Sequence, residues 1–181
     1  MGSNNDDKRK LILHELIKNS KISSEDIGKK IGLTRQTVSK IIKKLEDDKT
    51  IWGYTIIASE TPNYYGTKKH FLAFIKTDDI EELMKNVKRK VLNTNERDNF
   101  LAKNQLKNIG FDFAAFYHGE YDLVVAFFAD NLFEAKRLIS AIKAENPSIK
   151  KVDILQPILI TRRGGFSNPK LKEEFEKLGI D

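Results

Sequence analysis

Residues 22–50, ISSEDIGKKIGLTRQTVSKIIKKLEDDKT, limit what this chain can fold into more than any other stretch. They predict two short amphipathic helices joined by a tight turn at Gly32-Leu33. Ser23 is placed to cap the first helix, and Asp26 three residues on makes an S-x-x-D variant of the capping box. Ile27 and Ile31 lie four apart and so share one inward face. Gly28 falls where the two helices come closest, and a side chain there would push them apart. Gly32 supplies the left-handed conformation a helix C-terminus needs, and Leu33 plugs the turn into the core. Thr34 caps the second helix. Val38, Ile41, Ile42 and Leu45 then recur at helical spacing and bury its inner side.

The remaining side chains of the second helix point outward: Arg35, Gln36, Thr37, Ser39, Lys40, Lys43 and Lys44, with Thr34 at its start. Arg and Gln near the N-terminus of such a helix have the reach and donor pattern to read base edges in a major groove. Ser, Thr and Lys further along suit phosphate oxygens, which position a protein without reading sequence. The bland alternative is an αα-hairpin whose lysines face water. The apolar spacing, both glycines, the caps and the polar outer face agree with one another, and together they favour a helix-turn-helix that binds double-stranded DNA.

The chain's charge agrees. Its 181 residues carry a formal net charge of +6, with a pI near 9.3, which favours a polyanionic partner. Residues 1–50 hold twelve Lys/Arg against eight Asp/Glu, so most of the excess sits on the proposed DNA reader. Hydrophobic residues make up 40%, enough for a packed core in one domain or two small ones. The absence of cysteine excludes disulfides, thiol catalysis and thiolate metal sites. MGSNNDDKRK has no apolar signal-peptide core, and no run approaches the ~20 apolar residues a membrane span needs. The expectation is a cytoplasmic protein with no membrane partner, metal or cofactor.

Three segments follow from the rest of the N-terminal half. DDKRKLILHELIKNS, with Leu11, Ile12, Leu16 and Ile17, predicts a helix that completes a three-helix bundle. IWGYTIIA, residues 51 to about 58, predicts a strand or small wing, with Gly53 as a bend. Residues 59–69 read as a linker broken by Pro62 and Gly66. The domain boundaries are therefore 1–58 for the DNA-binding unit and 70–163 for a second domain, with a C-terminal tail over 164–181.

The second domain alternates strand and helix. HFLAFIKT (70–77), FDFAAFYH (111–118), YDLVVAFFA (121–129) and SIKKVDILQPILITRR (148–163) read as strands, the middle two forming a hairpin around Gly119-Glu120. Helices span 78–92, with Ile80, Leu83, Met84 and Val87 on one side, and 131–145, with Leu132, Ala135, Leu138, Ile139 and Ile142 inward. The order βαββαβ is a ferredoxin-like split unit, and the fold class is α+β. The strands look apolar on both faces, which calls for a partner subunit over part of the sheet. Residues 93–110 interrupt the unit as an insertion, open to a longer helix, an extra helix or a mobile loop. The tail ends in a short helix from about 169, striped with Leu171, Phe175 and Leu178.

Taken together, KLILHELIKNSKISSEDIGKKIGLTRQTVSKIIKKLEDDKTIWGY, the linker Gly66 and HGEYDL at 118–123 resemble the Lrp/AsnC family of transcriptional regulators. The last motif is similar to the family's G-x-Y-D hairpin. The resemblance covers nearly the whole chain apart from 93–110 and the tail. It implies an N-terminal winged helix-turn-helix and a C-terminal effector domain. It also implies homodimers, which in the family often assemble into tetramers or octamers, and an amino acid or related small molecule bound near the hairpin at the interface between dimers. By position it puts Gly119, Tyr121 and Asp122 in or beside the effector pocket. Asp122 would accept from an α-ammonium group, and Gly119 would let a ligand approach the backbone. Turn chemistry alone also selects Gly and Asp, with Asp122 capping local amides, and both readings stay open. Gly28 stands where the family commonly has Ala, a change that on helix propensity alone loosens the helix by ~1 kcal/mol at most.

Two other function classes compete. A few Lrp-like proteins, the sirohaem decarboxylases, are enzymes. His118, Glu120, Tyr121 and Asp122 are close in sequence, but strand neighbours point to opposite faces and do not converge by themselves. No His pair has metal-ligand spacing, and no Gly-rich phosphate loop or G-x-S-x-G elbow is present, so no catalytic residue is assigned. The other class is a ligand-sensing partner protein that controls regulators by mixed oligomerisation. It would keep the apolar sheet without needing the outward cations of the second helix.

Overall fold

The computed structural model describes residues 3–55 and 68–180. The chain divides into two compact units, Met1–Ile57 and Ala58–Asp181.

In the first unit, α1 (Ser3–Lys18), α2 (Ser24–Ile31) and α3 (Arg35–Asp47) enclose a core of Ile12, Leu16, Ile27, Val38 and Leu45. Leu13, Ile22, Ile31, Leu33, Ile41, Ile42 and Ile51 pack around it. The inner stripe of α1 is narrower than the expected one. Ile12 and Leu16 lie four apart and are buried, whereas Leu11 and Ile17, each one residue off that stripe, are exposed. Two polar clamps hold α1 in place. Glu15 takes Lys30 of α2 at 2.6 Å, and Arg9 reaches Asp48 just past α3 at 2.6 Å.

Of the strand or small wing expected over 51–58, no strand forms over 51–55. A strand needs a partner to take its backbone groups, and none of the described residues in this unit offers one. Residues 56–58, and the linker up to 67, lie outside the described residues. The last residues of the expected linker, Lys68 and Lys69, are described, and Lys69 already belongs to a strand.

The second unit is built on a four-stranded antiparallel sheet: β1 (Lys69–Thr77), β2 (Gly110–Phe116), β3 (Leu123–Ala129) and β4 (Ile149–Leu155), in the order β2-β3-β1-β4. With α4 (Ile80–Leu92) and α6 (Leu132–Glu145) this is the split βαββαβ arrangement. One sheet face supplies Phe71, Ala73, Ile75, Leu123, Val125, Phe127 and Ile149 to a core completed by Leu83, Ala135, Leu138 and Ile139 of the helices. Met84 and Leu132 were expected inside but stand 41% and 44% exposed, at the margins of their helices' buried stripes. The insertion forms an extra helix, α5 (Thr94–Lys103), capped by Asn93 at its start. It carries Phe100 into the core, and Leu106 follows.

The last strand stops at Leu155, well short of residue 163. Pro157 cannot donate to the ladder, so the pairing ends before it. The chain then makes a two-stranded hairpin, β5 (Arg162–Arg163) and β6 (Phe166–Ser167). It turns at Gly164 and Gly165, whose φ values of 53° and 86° need glycine or a strained substitute. Helix α7 (Leu171–Lys177) closes the tail. Arg163 bonds Asp112 of β2 at 2.6 Å, and its guanidinium sits 5.4 Å from the Phe128 ring centre. The tail hairpin therefore covers one end of the sheet's outer face. His70 lies beneath it, 4.9 Å from Phe128.

Candidate functional site

Local chemistry sets the helix-turn-helix. Ser23 Oγ accepts from Asp26 N–H at 3.0 Å. The Ser23 hydroxyl donates to the Asp26 carboxylate at 2.6 Å, an alternative to the reciprocal bond of a Glu-based capping box. Gly32 (φ 69°) closes α2, and Leu33 N–H bonds back to Gly28 carbonyl at 2.9 Å, the six-residue closure of a Schellman turn. Thr34 Oγ1 then accepts from Thr37 N–H at 3.2 Å and starts α3. The close approach at Gly28 is real, but its neighbour is the turn and not a facing side chain. A Cβ there would lie 2.4 Å from the Leu33 carbonyl oxygen. Gly28 is therefore required by this turn, whose crowding outweighs the helix propensity that glycine gives up.

Helix α3 leaves the first unit with an open cationic face. Val38 and Leu45 are fully buried on one side. Arg35, Gln36, Ser39, Lys40, Lys43 and Lys44 are exposed on the other. None of these six has a side-chain hydrogen bond or ion pair among the described residues. Thr34 and Thr37 differ: their hydroxyls bond each other at 2.9 Å and belong to the cap. The free groups are donors that bond no acceptor among the described residues, save the amide oxygen of Gln36 and the Ser39 hydroxyl, which also accept. That is an arrangement for an acceptor-rich, negatively charged surface.

The C-terminal end of α3 is fixed by contacts that sequence reasoning missed. Asp48 Oδ1 accepts from the Thr50 amide (3.1 Å) and hydroxyl (2.6 Å). The Thr50 hydroxyl and then Arg9 hold the Asp48 carboxyl at about 2. Tyr54 donates to Glu46 at 2.8 Å, and burial followed by this bond pushes the phenol up to about 12. The Asp-x-Thr spacing of Asp48 and Thr50 is a local turn signal, whereas nothing local points to Arg9 or Tyr54 as partners.

The hairpin between β2 and β3 is a six-residue loop, 117–122, closed by Tyr117 N–H to Asp122 carbonyl at 2.9 Å. Asp122 is turned inward. Its Oδ2 accepts from Thr77 N–H at 2.8 Å, and its Oδ1 from Lys76 Nζ at 3.0 Å. The Thr77 amide first, and the Lys76 ammonium after it, lower the carboxyl's pKa. Tyr121 donates to Asp153 of β4 and accepts from Lys151 Nζ at 2.9 Å. The same ammonium lies 5.0 Å above the Tyr121 ring and 3.0 Å from Asp153. Asp153 raises the phenol's pKa. Gly119 is exposed, with nothing within 4 Å of where a Cβ would stand. The structure thus gathers Tyr121 with Lys151 and Asp153, and Asp122 with Lys76, on one end of the sheet. Gly119 joins neither group. Lys76, Lys151 and Asp153 had no sequence signal, since register alone brings them to the hairpin.

Known proteins resemble the chain in two ways. Residues 5–51 match the winged helix-turn-helix DNA-binding family. Over 49 residues the chain is 45% identical to LrpB, a helix-turn-helix transcriptional regulator of Bacillus subtilis, covering 27% of this chain and 33% of that one. The chain spans between 30% and 35% of the length of the curated relatives it matches. Solved structures extend the likeness to both units. Escherichia coli AsnC superposes with a TM-score of 0.57 at 16% identity, over 87% of this chain and 94% of that one. A feast or famine regulatory protein of Mycobacterium tuberculosis, solved with L-methionine, gives 0.60 at 14% identity, over 87% and 95%. The chain shares the fold of these two solved structures. Its first unit matches the winged helix-turn-helix model, and the antiparallel sheet with its helices is the second domain of that fold.

Proposed function

We propose that the chain is a sequence-specific, DNA-binding transcription regulator of the Lrp/AsnC type. The observation that carries this is the outer face of α3. Six polar side chains are exposed there with no partner among the described residues, on a helix capped, clamped and cored on every other side. Arg35 and Gln36, in the first turn, are the base-reading candidates. Ser39, Lys40, Lys43 and Lys44 hold phosphates, while Thr34 and Thr37 set the helix start and present its N-terminal amides. A homodimer would offer two such helices to one operator, with half-sites about 34–36 Å apart or a multiple of that. Larger assemblies, as the family resemblance implies, would span more half-sites. The protein works in the cytoplasm on this reading and has no catalytic role.

The second domain is the regulatory half of the same proposal. The M. tuberculosis neighbour was solved with L-methionine, and an amino acid or a related small molecule is the effector class we propose here. Gly119, Tyr121 and Asp122 would line its site. An α-ammonium group would take the place of Lys76 on Asp122, and a carboxylate would be drawn to the released Lys76 or to Lys151. The ligand can act only through its differential affinity for two assemblies of the chain.

The test is mapping of bound sites across the genome, followed by binding assays on the sequence found. Arg35→Ala and Gln36→Ala should each relax preference at one position per half-site, costing ~1–3 kcal/mol there. Unchanged preference in both variants would remove these residues from base reading. No binding to any duplex would favour the partner-protein alternative.

A further inference from the structure

His70 is a largely covered titratable side chain that neither the outer face of α3 nor the loop between β2 and β3 uses. It ends a row that crosses the outer sheet face: Gly110 on β2, Phe128 on β3 and His70 on β1. Its side chain is 16% exposed, and both ring nitrogens are buried with no hydrogen-bond partner among the described residues. Buried polar atoms in folded proteins are nearly always bonded, so an imidazole with neither nitrogen satisfied calls for a reason.

The tail supplies one. Arg163 of β5 donates to Asp112 Oδ2 at 2.6 Å, and His70 Nε2 lies 3.3 Å from that same oxygen. One carboxylate oxygen therefore faces a permanent cation from the tail and a conditional one from the sheet. With the imidazole neutral, Asp112 is left to Arg163 and the corner holds one charge of each sign. A proton on His70 would add a second cation beneath the tail. Burial opposes it first and Arg163 also opposes it, while Asp112 favours it. Asp112 of β2 and Arg163 of β5 are the charged groups that act on the ring; β3 faces it with Phe128. Arg163 and the tail's cover leave together when the hairpin lifts, whereas Asp112 stays on the sheet. A charged His70 and a docked tail therefore disfavour each other, and each proton bound shifts the balance towards the undocked form.

We propose that His70, Asp112 and Arg163 form a proton-operated latch on the C-terminal tail. With His70 neutral, Arg163 holds the tail hairpin on the sheet through Asp112. When the imidazole takes a proton from water, it bonds Asp112 Oδ2 in place of Arg163, and the hairpin is released. One ion pair is exchanged for another, and no covalent bond changes apart from the N–H that the proton forms. Release also gives up the stacking of the Arg163 guanidinium over Phe128 and bares that ring. The next row of the same face, Phe113, Ala126, Leu72 and Leu155, already has Phe113 47% and Leu155 52% exposed. Acidification thus enlarges an apolar surface on the second domain, independently of what α3 binds.

NMR of the full chain, titrated from about pH 8 to about pH 5, tests the latch. The chain has three histidines, His14, His70 and His118, and the His70 ring signal is the one missing from His70→Leu. In the wild type, His70 should titrate with a midpoint below 6.5. The amide signals of residues 164–168 should move at that same midpoint, towards the positions they hold in Arg163→Ala, where the tail is unlatched throughout. Arg163→Ala should raise the His70 midpoint, and His70→Leu should hold the 164–168 signals at their pH 8 positions. Tail signals that stay still while His70 titrates overturn the proposal, as does a midpoint that Arg163→Ala leaves unchanged. A wild-type midpoint above 6.5 also overturns it, because the imidazolium would then bond Asp112 under a tail that remains docked. If Arg163→Ala disturbs the β1 and β3 signals, the wild-type and His70→Leu titrations decide by themselves: tail movement at the His70 midpoint in the first, and none in the second, sustains the latch.

Discussion

The outer face of α3 and the loop between β2 and β3 are both polar surfaces on well-packed frames, yet they are finished differently. On α3 the functional candidates are left without partners: Arg35, Gln36, Lys40, Lys43 and Lys44 make no hydrogen bond or ion pair within the described chain. At the hairpin Tyr121 and Asp122 are already engaged, with Asp153, Lys151, Lys76 and the Thr77 amide. A surface of unpaired donors loses only water when a polyanion arrives. A surface of mutually satisfied groups must give up bonds for each one it makes to a ligand, so its response depends on what the ligand offers in return. The first suits a constitutive binder, the second a site whose occupancy changes the protein around it.

The largest effect should come from the frame of the open surface. Gly28→Ala puts a Cβ 2.4 Å from the Leu33 carbonyl oxygen, and that oxygen is backbone in a closed turn. We expect a loss of about 2–3 kcal/mol in the first unit, since overpacking outweighs the ~1 kcal/mol that Ala gains in helix propensity. Denaturant unfolding followed by helical signal measures it. A stabilised variant would mean that the turn relaxes freely and does not fix α3's entry.

On the closed surface, Asp122→Ala should cost about 1–3 kcal/mol, because the Thr77 amide loses its acceptor in a half-buried position. The wild-type protein should show the matching pH dependence. A carboxyl whose folded pKa is lowered gives stability that is complete above its unfolded value near 3.8 and is lost as pH falls through the lower folded value. Asp122→Ala should abolish that part of the acid slope. If stability and acid slope are both unchanged, the carboxylate is free for a ligand and the contrast with α3 disappears.

His70 is a smaller test, at the tail-covered end of the same sheet. Its Nε2 lies 3.3 Å from Asp112 Oδ2 but is misaligned for a hydrogen bond, and neither ring nitrogen has a hydrogen-bond partner. Burial is the main cause that lowers its pKa, with Asp112 acting the other way. The unfolded chain therefore takes up protons first, and stability falls as pH drops through about 6.5 towards the folded value. His70→Leu should flatten that slope and leave stability at pH 8 within about 1 kcal/mol. An unchanged slope below pH 6.5 would show that Arg163 and Asp112 pin the tail without involving the imidazole.

What could be read from the sequence follows the same divide. Caps at Ser23 and Thr34, the turn at Gly32 and the inner stripe of α3 are set by residues within four positions of one another, so spacing announced them. The strand order was implied by element order. The pairs that finish the hairpin join residues about 30 to 46 positions apart and depend on strand register, which a single sequence does not give. The end of β4 was overrun because apolar residues continue past Pro157, though the ladder cannot. The tail's cover over one end of the outer sheet face was not foreseen because nothing local links Arg163 to Asp112.

The smallest effect separates the two surfaces most cleanly. Lys43 is exposed and unpaired, so Lys43→Ala should leave folding stability unchanged to about 0.5 kcal/mol, as surface substitutions away from special features do. If α3 enters a groove as proposed, the same change should weaken binding to all duplexes alike. It should also reduce the slope of log affinity against log salt by about 0.9 per site, one released counterion for each phosphate no longer neutralised. A variant that keeps the parent's salt slope makes Lys43 a solvated lysine, and the DNA-facing stripe would then stop at Lys40. The hairpin has no counterpart to this experiment. Tyr121 and Asp122, the side chains that would be removed there to test binding, also hold part of the fold, and on α3 the two roles come apart.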